Sequence, residues 1–226
     1  KLNTTGTENT AVGALALDAN TTGAFGIAFG SGALGGNTTG DANIGIGYNA
    51  LDSNTTADYN IGIGHDALGL NTTGANNIAI GIFALDANTT ASNNTAVGTS
   101  ALGANTTGEG NTAVGYSAGL SVSTGSNNVL IGKQAGQSGV LLTTGAANTI
   151  IGNYAHTTAA GTIDAQILGY NVAGEGGYTT VGNGASDIRA ANGTATWAAV
   201  SDERYKKDIV DSTAGLSFIN ALQPRT

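Results

Sequence analysis

The chain has 226 residues, a net charge of −8 and 37 glycines, with no cysteine, four phenylalanines and one tryptophan. This composition excludes a disulfide framework and a thiolate metal site, and it argues against a core of large aromatic side chains. No apolar run approaches the ~18 residues of a membrane span, and an acidic surface without Lys or Arg from residue 2 to 132 argues against nucleic acid and anionic membranes as partners.

The first part of the chain repeats with a period of 17 residues. Each unit has three phrases: an Asn-Thr-Thr triplet, a strand-like phrase such as Asn43-Ile-Gly-Ile-Gly47, and a closing Ala-Leu. Repetition without insertions indicates that each unit is one coil stacked on the next. Since 17 residues are too few for a strand, a helix and two loops, we predict an all-β fold, a parallel β-roll or β-solenoid with two short strands per coil. The triplets begin at Asn3, Asn20, Asn37, Asn54, Asn71, Asn88 and Asn105.

The strand phrase predicts an orientation for its side chains. Ile44 and Ile46 alternate with Gly45, which is the period-2 pattern of a short strand. We expect the two isoleucines to face the core and the glycine to leave the opposite face bare, where another chain could approach closely. Gly47, which follows the strand, should take a positive φ at the corner of the coil.

One coil buries little apolar surface, whereas ordering each residue costs about 1–2 kcal/mol of backbone entropy. We therefore predict that the chain is a homo-oligomer. A terminal coil should also differ from the others, because it must hide an open strand edge.

Beyond Gly119 the repeat continues with altered turns and a three-residue insertion before Asn148. We divide the chain into seven regular repeats (1–120), degenerate coils (121–184), a connector (185–200) and a C-terminal segment (201–226). About eleven coils would make a rod of roughly 50 Å. In the last segment, the spacing of Leu216, Ile219 and Leu222 predicts a short helix that ends at Pro224.

The phrases Asn-Thr-Ala-Val-Gly and Asn-Ile-Gly-Ile-Gly resemble the head repeats of trimeric autotransporter adhesins over residues 3–183. The resemblance implies a left-handed parallel β-roll of three intertwined chains, hence a homotrimer that could also join end to end as a filament. Units in those heads are usually shorter, so the Asn-Thr-Thr-Gly turn would be an enlarged loop here.

A second resemblance covers the C-terminal segment. Trp197, the run Ser201-Asp-Glu-Arg-Tyr-Lys206-Lys-Asp-Ile and Gly215 to Pro224 are similar to the start of the C-terminal intramolecular chaperone of phage tailspikes, tail fibres and endosialidases. That domain trimerises the fibre and then cuts itself off. The resemblance implies that Ser201 is the nucleophile and Lys206 its base, in a single-turnover cleavage between Val200 and Ser201. A lysine desolvated in an assembled trimer has a lowered pKa and can accept the hydroxyl proton.

Other features of the repeat have alternative interpretations. All seven triplet asparagines fit the N-glycosylation pattern, but Asn and Thr also cap turns. A ladder of exposed Thr could also form an ice-binding face. His65 and His156 have no partners at metal-ligand spacing, and we interpret Asp18, Asp52 and Asp86, at one repeat position, as solubilising.

The sequence thus predicts a structural and adhesive fibre segment, from a phage tail fibre or a bacterial surface adhesin. It would be extracellular, at a cell surface or on a virion, without cofactor or metal, and would bind a cell-surface glycan or receptor. The alternatives are a glycan-coated extracellular filament and an ice-binding protein. Specificity should lie in the two variable residues of each coil, such as Tyr48-Asn49, His65-Asp66, Ile82-Phe83 and Tyr116-Ser117.

Overall fold

The computed structural model describes residues 3–184, 187–193 and 198–200. Within them the chain is an all-β parallel solenoid of about ten coils with a spacing of 17 residues, and it contains no helix. The predicted fold class is confirmed at this level. The predicted helix before Pro224 lies outside the described residues.

Each coil contributes one short strand to a single continuous sheet. Strands β1 to β9, β11 and β13 are parallel neighbours in that order, and β14 and β15 then close the C-terminal end in antiparallel pairing. A separate pair, β10 and β12, is also parallel. The strands are β1 (Thr10–Val12), β2 (Ile27–Phe29), β3 (Ile44–Ile46), β4 (Ile61–Ile63), β5 (Ile78–Ile80), β6 (Thr95–Val97), β7 (Thr112–Val114), β8 (Val129–Ile131), β9 (Thr149–Ile151), β10 (His156–Thr157), β11 (Gln166–Gly169), β12 (Ala173–Gly174), β13 (Tyr178–Gly182), β14 (Asp187–Ala191) and β15 (Ala198–Val200).

The prediction of two strands per coil is wrong for the regular repeats, which have one. Between strands, the backbone still bonds to the next coil, as in Leu34 N to Ala50 O (2.9 Å) and Thr38 N to Thr55 O (2.8 Å). The backbone is not extended there, because Asn49 (φ 51°) and Leu51 (φ 56°) are left-handed. Left-handed residues curve the chain tightly, so hydrogen bonding between coils continues through turns.

The predicted orientation of the strand side chains is also wrong. Gly45 points into the coil and is buried, whereas Ile44 and Ile46 point outward and are half-buried. Alanines at the position of Gly45 in other coils, Ala28 and Ala79, are fully buried as well. The reason is room: Leu34 fills the interior, and its Cγ lies 3.2 Å from where a Cβ of Gly45 would be. A thin coil accepts one leucine and one small residue.

The irregular coils reverse this division of the interior. Gly119 and Gly136 replace the leucine of the Ala-Leu phrase, and the inward strand residue becomes Leu130 or Ile150, both fully buried. A Cβ on Gly119 would lie 2.6 Å from Cδ1 of Leu130. The total volume inside the coil is therefore kept while its source moves from the turn to the strand.

The glycine after each strand has the positive φ that the sequence predicted. Gly47 has φ 135°, and a Cβ there would collide with the carbonyl oxygen of Gly64 in the next coil. The regular spacing changes once among the coils that follow, between Val129 and its partner Thr149, which are 20 residues apart. The extra residues precede Leu142 and include Val140, which bridges to Thr157.

Candidate functional site

The triplet asparagines form a ladder in the interior of the coils. Asn54 Nδ2 donates to Asn37 Oδ1 at 2.9 Å in the preceding coil and to the carbonyl of Ala57 at 3.0 Å. Five of the seven, from Asn20 to Asn88, repeat this pair of bonds and Asn105 ends the ladder with it; only Asn3, at the open N-terminal end, is exposed. A glycan on a buried Nδ2 would have to displace these bonds, so the geometry favours the turn interpretation of the triplet.

A second asparagine ladder stands immediately before the strands. Asn60 is fully buried; its backbone N–H donates to Asn43 Oδ1, and its Nδ2 donates to Gly74 O, both at 2.9 Å. The sequence showed this asparagine in most repeats, but its part in stacking was not predicted. The two ladders use side chains to satisfy polar groups that the curved backbone leaves inside the coil.

The two threonines of each triplet differ in exposure. Thr38 Oγ1 donates to the carbonyl of Thr55 at 2.9 Å in the next coil and is half-buried, whereas Thr39 is exposed. Each regular coil thus presents one file of free threonine hydroxyls rather than the broad, flat array that an ice-binding face would need.

The outward strand residues form a surface that we call the aliphatic face. It has two rows, one on each side of the inward residue, and matching residues stack in register, such as Ile46 on Ile63. Phe29 is 57% exposed and Leu168 50% exposed. The first row is Thr10, Ile27, Ile44, Ile61, Ile78, Thr95, Thr112, Val129, Thr149 and Gln166; the second is Val12, Phe29, Ile46, Ile63, Ile80, Val97, Val114, Ile131, Ile151 and Leu168.

Three rings in successive coils form a surface that we call the aromatic row: Tyr48, His65 and Phe83. The Tyr48 and His65 rings stack with centroids 5.1 Å apart, and Phe83 meets His65 edge to face at 5.3 Å. Tyr48 is 53% exposed and Phe83 41%. These rings occupy the variable positions to which the sequence assigned specificity, and the fold brings them together because coils stack in register.

A shallow cavity of about 260 Å³ adjoins the aromatic row. Gly69 occupies the repeat position that Asp52 and Asp86 hold in the coils on either side, and Asn49, Ser53, Asp66 and Leu70 complete the lining. Partial burial, and then the charge of Asp66, raise the pKa values of Asp52 and Asp86. Asp66 also pairs with His65, Oδ2 to Nδ1 at 2.9 Å.

A second group of rings lies further along the solenoid. Lys133 Nζ is 5.3 Å from the ring centroid of Tyr154, and Tyr154 meets Tyr170 edge to face at 6.0 Å. The hydrogen bond to Tyr154 and the neighbouring phenol groups raise the pKa of Lys133. His156 is half-buried with Nδ1 3.0 Å from the carbonyl of Tyr154.

The remaining sequence predictions about sites fall in different places. Ser201 and Lys206 lie outside the described residues. In the part of the chain that the structure describes, no three His, Asp or Glu residues are arranged to hold a metal ion, and no helix is long and apolar enough to cross a membrane. No protein-family model, curated protein or solved structure matches this chain.

Proposed function

We propose that this protein is a homotrimeric, structural and adhesive fibre segment of a bacterial surface or a phage tail. The observation that carries the proposal is the aliphatic face, which follows the sheet over most of the solenoid. Contiguous apolar surface beyond a few hundred Å² is rare on soluble monomers and usually marks an interface. A strip roughly 50 Å long is of that kind.

Trimerisation through this face meets the physical need of the fold. The interior of each regular coil holds one leucine and one glycine or alanine, such as Leu51 and Gly62, so most of the large aliphatic side chains lie outside it. Three copies that turn their aliphatic faces toward a common axis would build the wide core that a single coil lacks. The face carries no Lys, Arg, Asp or Glu that would oppose this packing.

The hydrogen bonds also suit a load-bearing rod. Backbone bonds and both asparagine ladders run from coil to coil, as in Asn71 Nδ2 to Asn54 Oδ1 at 3.0 Å. Pulling along the axis therefore strains many parallel bonds at every step. The buried ladder gives less support to a glycan-coated filament, and the single file of threonines gives less support to ice binding.

The C-terminal segment supplies the assembly step in this proposal. By its resemblance to the intramolecular chaperones, residues 201–226 would begin a domain that aligns three chains. Ser201 would then attack the carbonyl of Val200 while Lys206 accepts its proton. Replacing Ser201 with Ala in the protein with its downstream domain should abolish the cleaved fragment on a denaturing gel; an unchanged fragment pattern would sink self-cleavage but not the trimer.

The trimer is tested by light scattering. The wild-type mass should be three times that of the chain, and Ile63→Lys, which puts a charge at the centre of the aliphatic face, should shift it to the monomer. Thr73→Lys is the matched control, because Thr73 is exposed on the triplet turn. A wild-type monomer at micromolar concentration would refute the proposal.

A further inference from the structure

We infer that the aromatic row of Tyr48, His65 and Phe83, together with the cavity beside it, is a binding site for neutral, hydroxyl-rich oligosaccharides. This inference rests on the proposed function, since it names the class of ligand that the adhesive fibre would hold. Its observations are separate from those of the aliphatic face.

The first argument is that the row contributes nothing to the coil. Leucine and the inward strand residue fill the interior, whereas Tyr48 and Phe83 are exposed beyond the turn glycine and touch only the ring of His65 between them. The preceding coil carries Ser31 and Gly32 at the two variable positions, so no large side chain stands against Tyr48 on that side. A continuous apolar ridge is thus left open.

The second argument concerns hydrogen bonding. The backbone along the row is already paired, with Asp66 N donating to Tyr48 O at 3.0 Å and Phe83 N donating to His65 O at 2.9 Å. A ligand must therefore bond to side chains, and the adjoining cavity offers mainly carboxylate acceptors from Asp52, Asp66 and Asp86. A peptide would bring as many carbonyl acceptors as N–H donors, and its carbonyls would lack partners here. Sugar hydroxyls donate.

The third argument is the combination of chemistries. A pyranose has C–H groups on its ring faces and hydroxyls at its rim, so it can lie on an aromatic ridge while its rim reaches acceptors at one side. Two coils span about 9.5 Å, close to the length of two linked hexoses, so the row and cavity together fit a short oligosaccharide. The acidic surroundings and the absence of Lys or Arg before residue 133 exclude acidic sugars as good ligands.

The test is saturation-transfer NMR and calorimetry on the intact protein with cellohexaose and chitohexaose, and with an oligogalacturonate as the acidic probe. At least one neutral hexasaccharide should bind, with saturation transferred to its ring C–H protons. Tyr48→Ala and Phe83→Ala should each weaken binding about tenfold. Tyr59→Ala is the matched control, because Tyr59 is 62% exposed but precedes its strand instead of following it. It should bind as the wild type does.

Three results would overturn the inference: neither neutral probe binds, the oligogalacturonate binds better than both, or Tyr59→Ala loses as much affinity as Tyr48→Ala. Light scattering on the same samples keeps the two proposals apart. A trimer that binds no neutral probe refutes only the sugar site, whereas a monomer that binds one refutes only the trimeric assembly.

Discussion

Leu130 occupies the space that Gly119 leaves in the interior, with Cδ1 2.6 Å from where a glycine Cβ would point. In the regular coils the corresponding pair is Leu34 and Gly45, with the large and small residues exchanged between turn and strand. The same interior volume is thus filled in two ways within one chain, which makes the exchange itself testable.

Gly45→Leu alone should destabilise the protein by about 3 kcal/mol, because Leu34 already fills the interior. Leu34→Gly alone should cost about 3–5 kcal/mol, because it leaves a cavity. The double variant should be more stable than either single variant, since it reproduces the arrangement of Gly119 and Leu130. Thermal unfolding followed by circular dichroism checks this, and additive single effects would contradict the shared volume.

Asn71→Val should lower stability by about 3 kcal/mol. It removes the donor to Asn54 Oδ1 and Gly74 O and the acceptor that Asn88 Nδ2 uses at 2.8 Å, all of them buried. Asn3→Val serves as the control, because Asn3 is exposed and only one coil stacks on it. Chemical denaturation should separate the two variants clearly; equal losses would mean that the interior ladder contributes little.

Gly64→Ala should prevent native stacking at one coil. Gly64 has φ 137°, and a Cβ would be 2.5 Å from Gly81 O, which is backbone and cannot move aside. Gly69→Ala is the comparison, because the nearest atoms to its Cβ are 3.3 Å away. Hydrogen exchange should show lost protection around Gly64 in the first variant and wild-type protection in the second.

Asp86→Asn should stabilise the protein at pH 7 and change little at pH 3. The pKa of Asp86 is raised in the fold, so the folded state favours the protonated acid. That stability is present below the unfolded pKa of about 3.9 and is lost as pH rises through the higher folded pKa. Asp18→Asn is the control, since Asp18 shares the repeat position but is exposed in the first coil. Melting temperatures at the two pH values decide it.

The period, the parallel stacking and the turn glycines could be predicted because they depend on spacing and on positive φ, as at Gly47. The orientation of Ile44 could not be read from alternation alone, because period 2 says which residues share a face and not which face is inside. The chain did hold a signal: the residue between the isoleucines is never larger than alanine until Gly119 replaces leucine, which indicates a crowded interior.

The aromatic row illustrates a second limit. Tyr48, His65 and Phe83 were recognised as variable positions, but their ring contacts depend on coil register and side-chain angles that the sequence does not contain. The role of the second asparagine ladder was missed for the same reason, since Asn60 pairs with atoms 14 and 17 residues away.

The 20-residue step from Val129 to Thr149 has a consequence for assembly. Coils of identical length can slide past one another by one whole unit and still match Asn to Asn and Ile to Ile, so the regular repeats alone leave three chains free to align in several ways. A coil of different length has no counterpart after such a slip. The longer step before Asn148 therefore acts as an index mark, which limits three neighbouring chains to a single alignment.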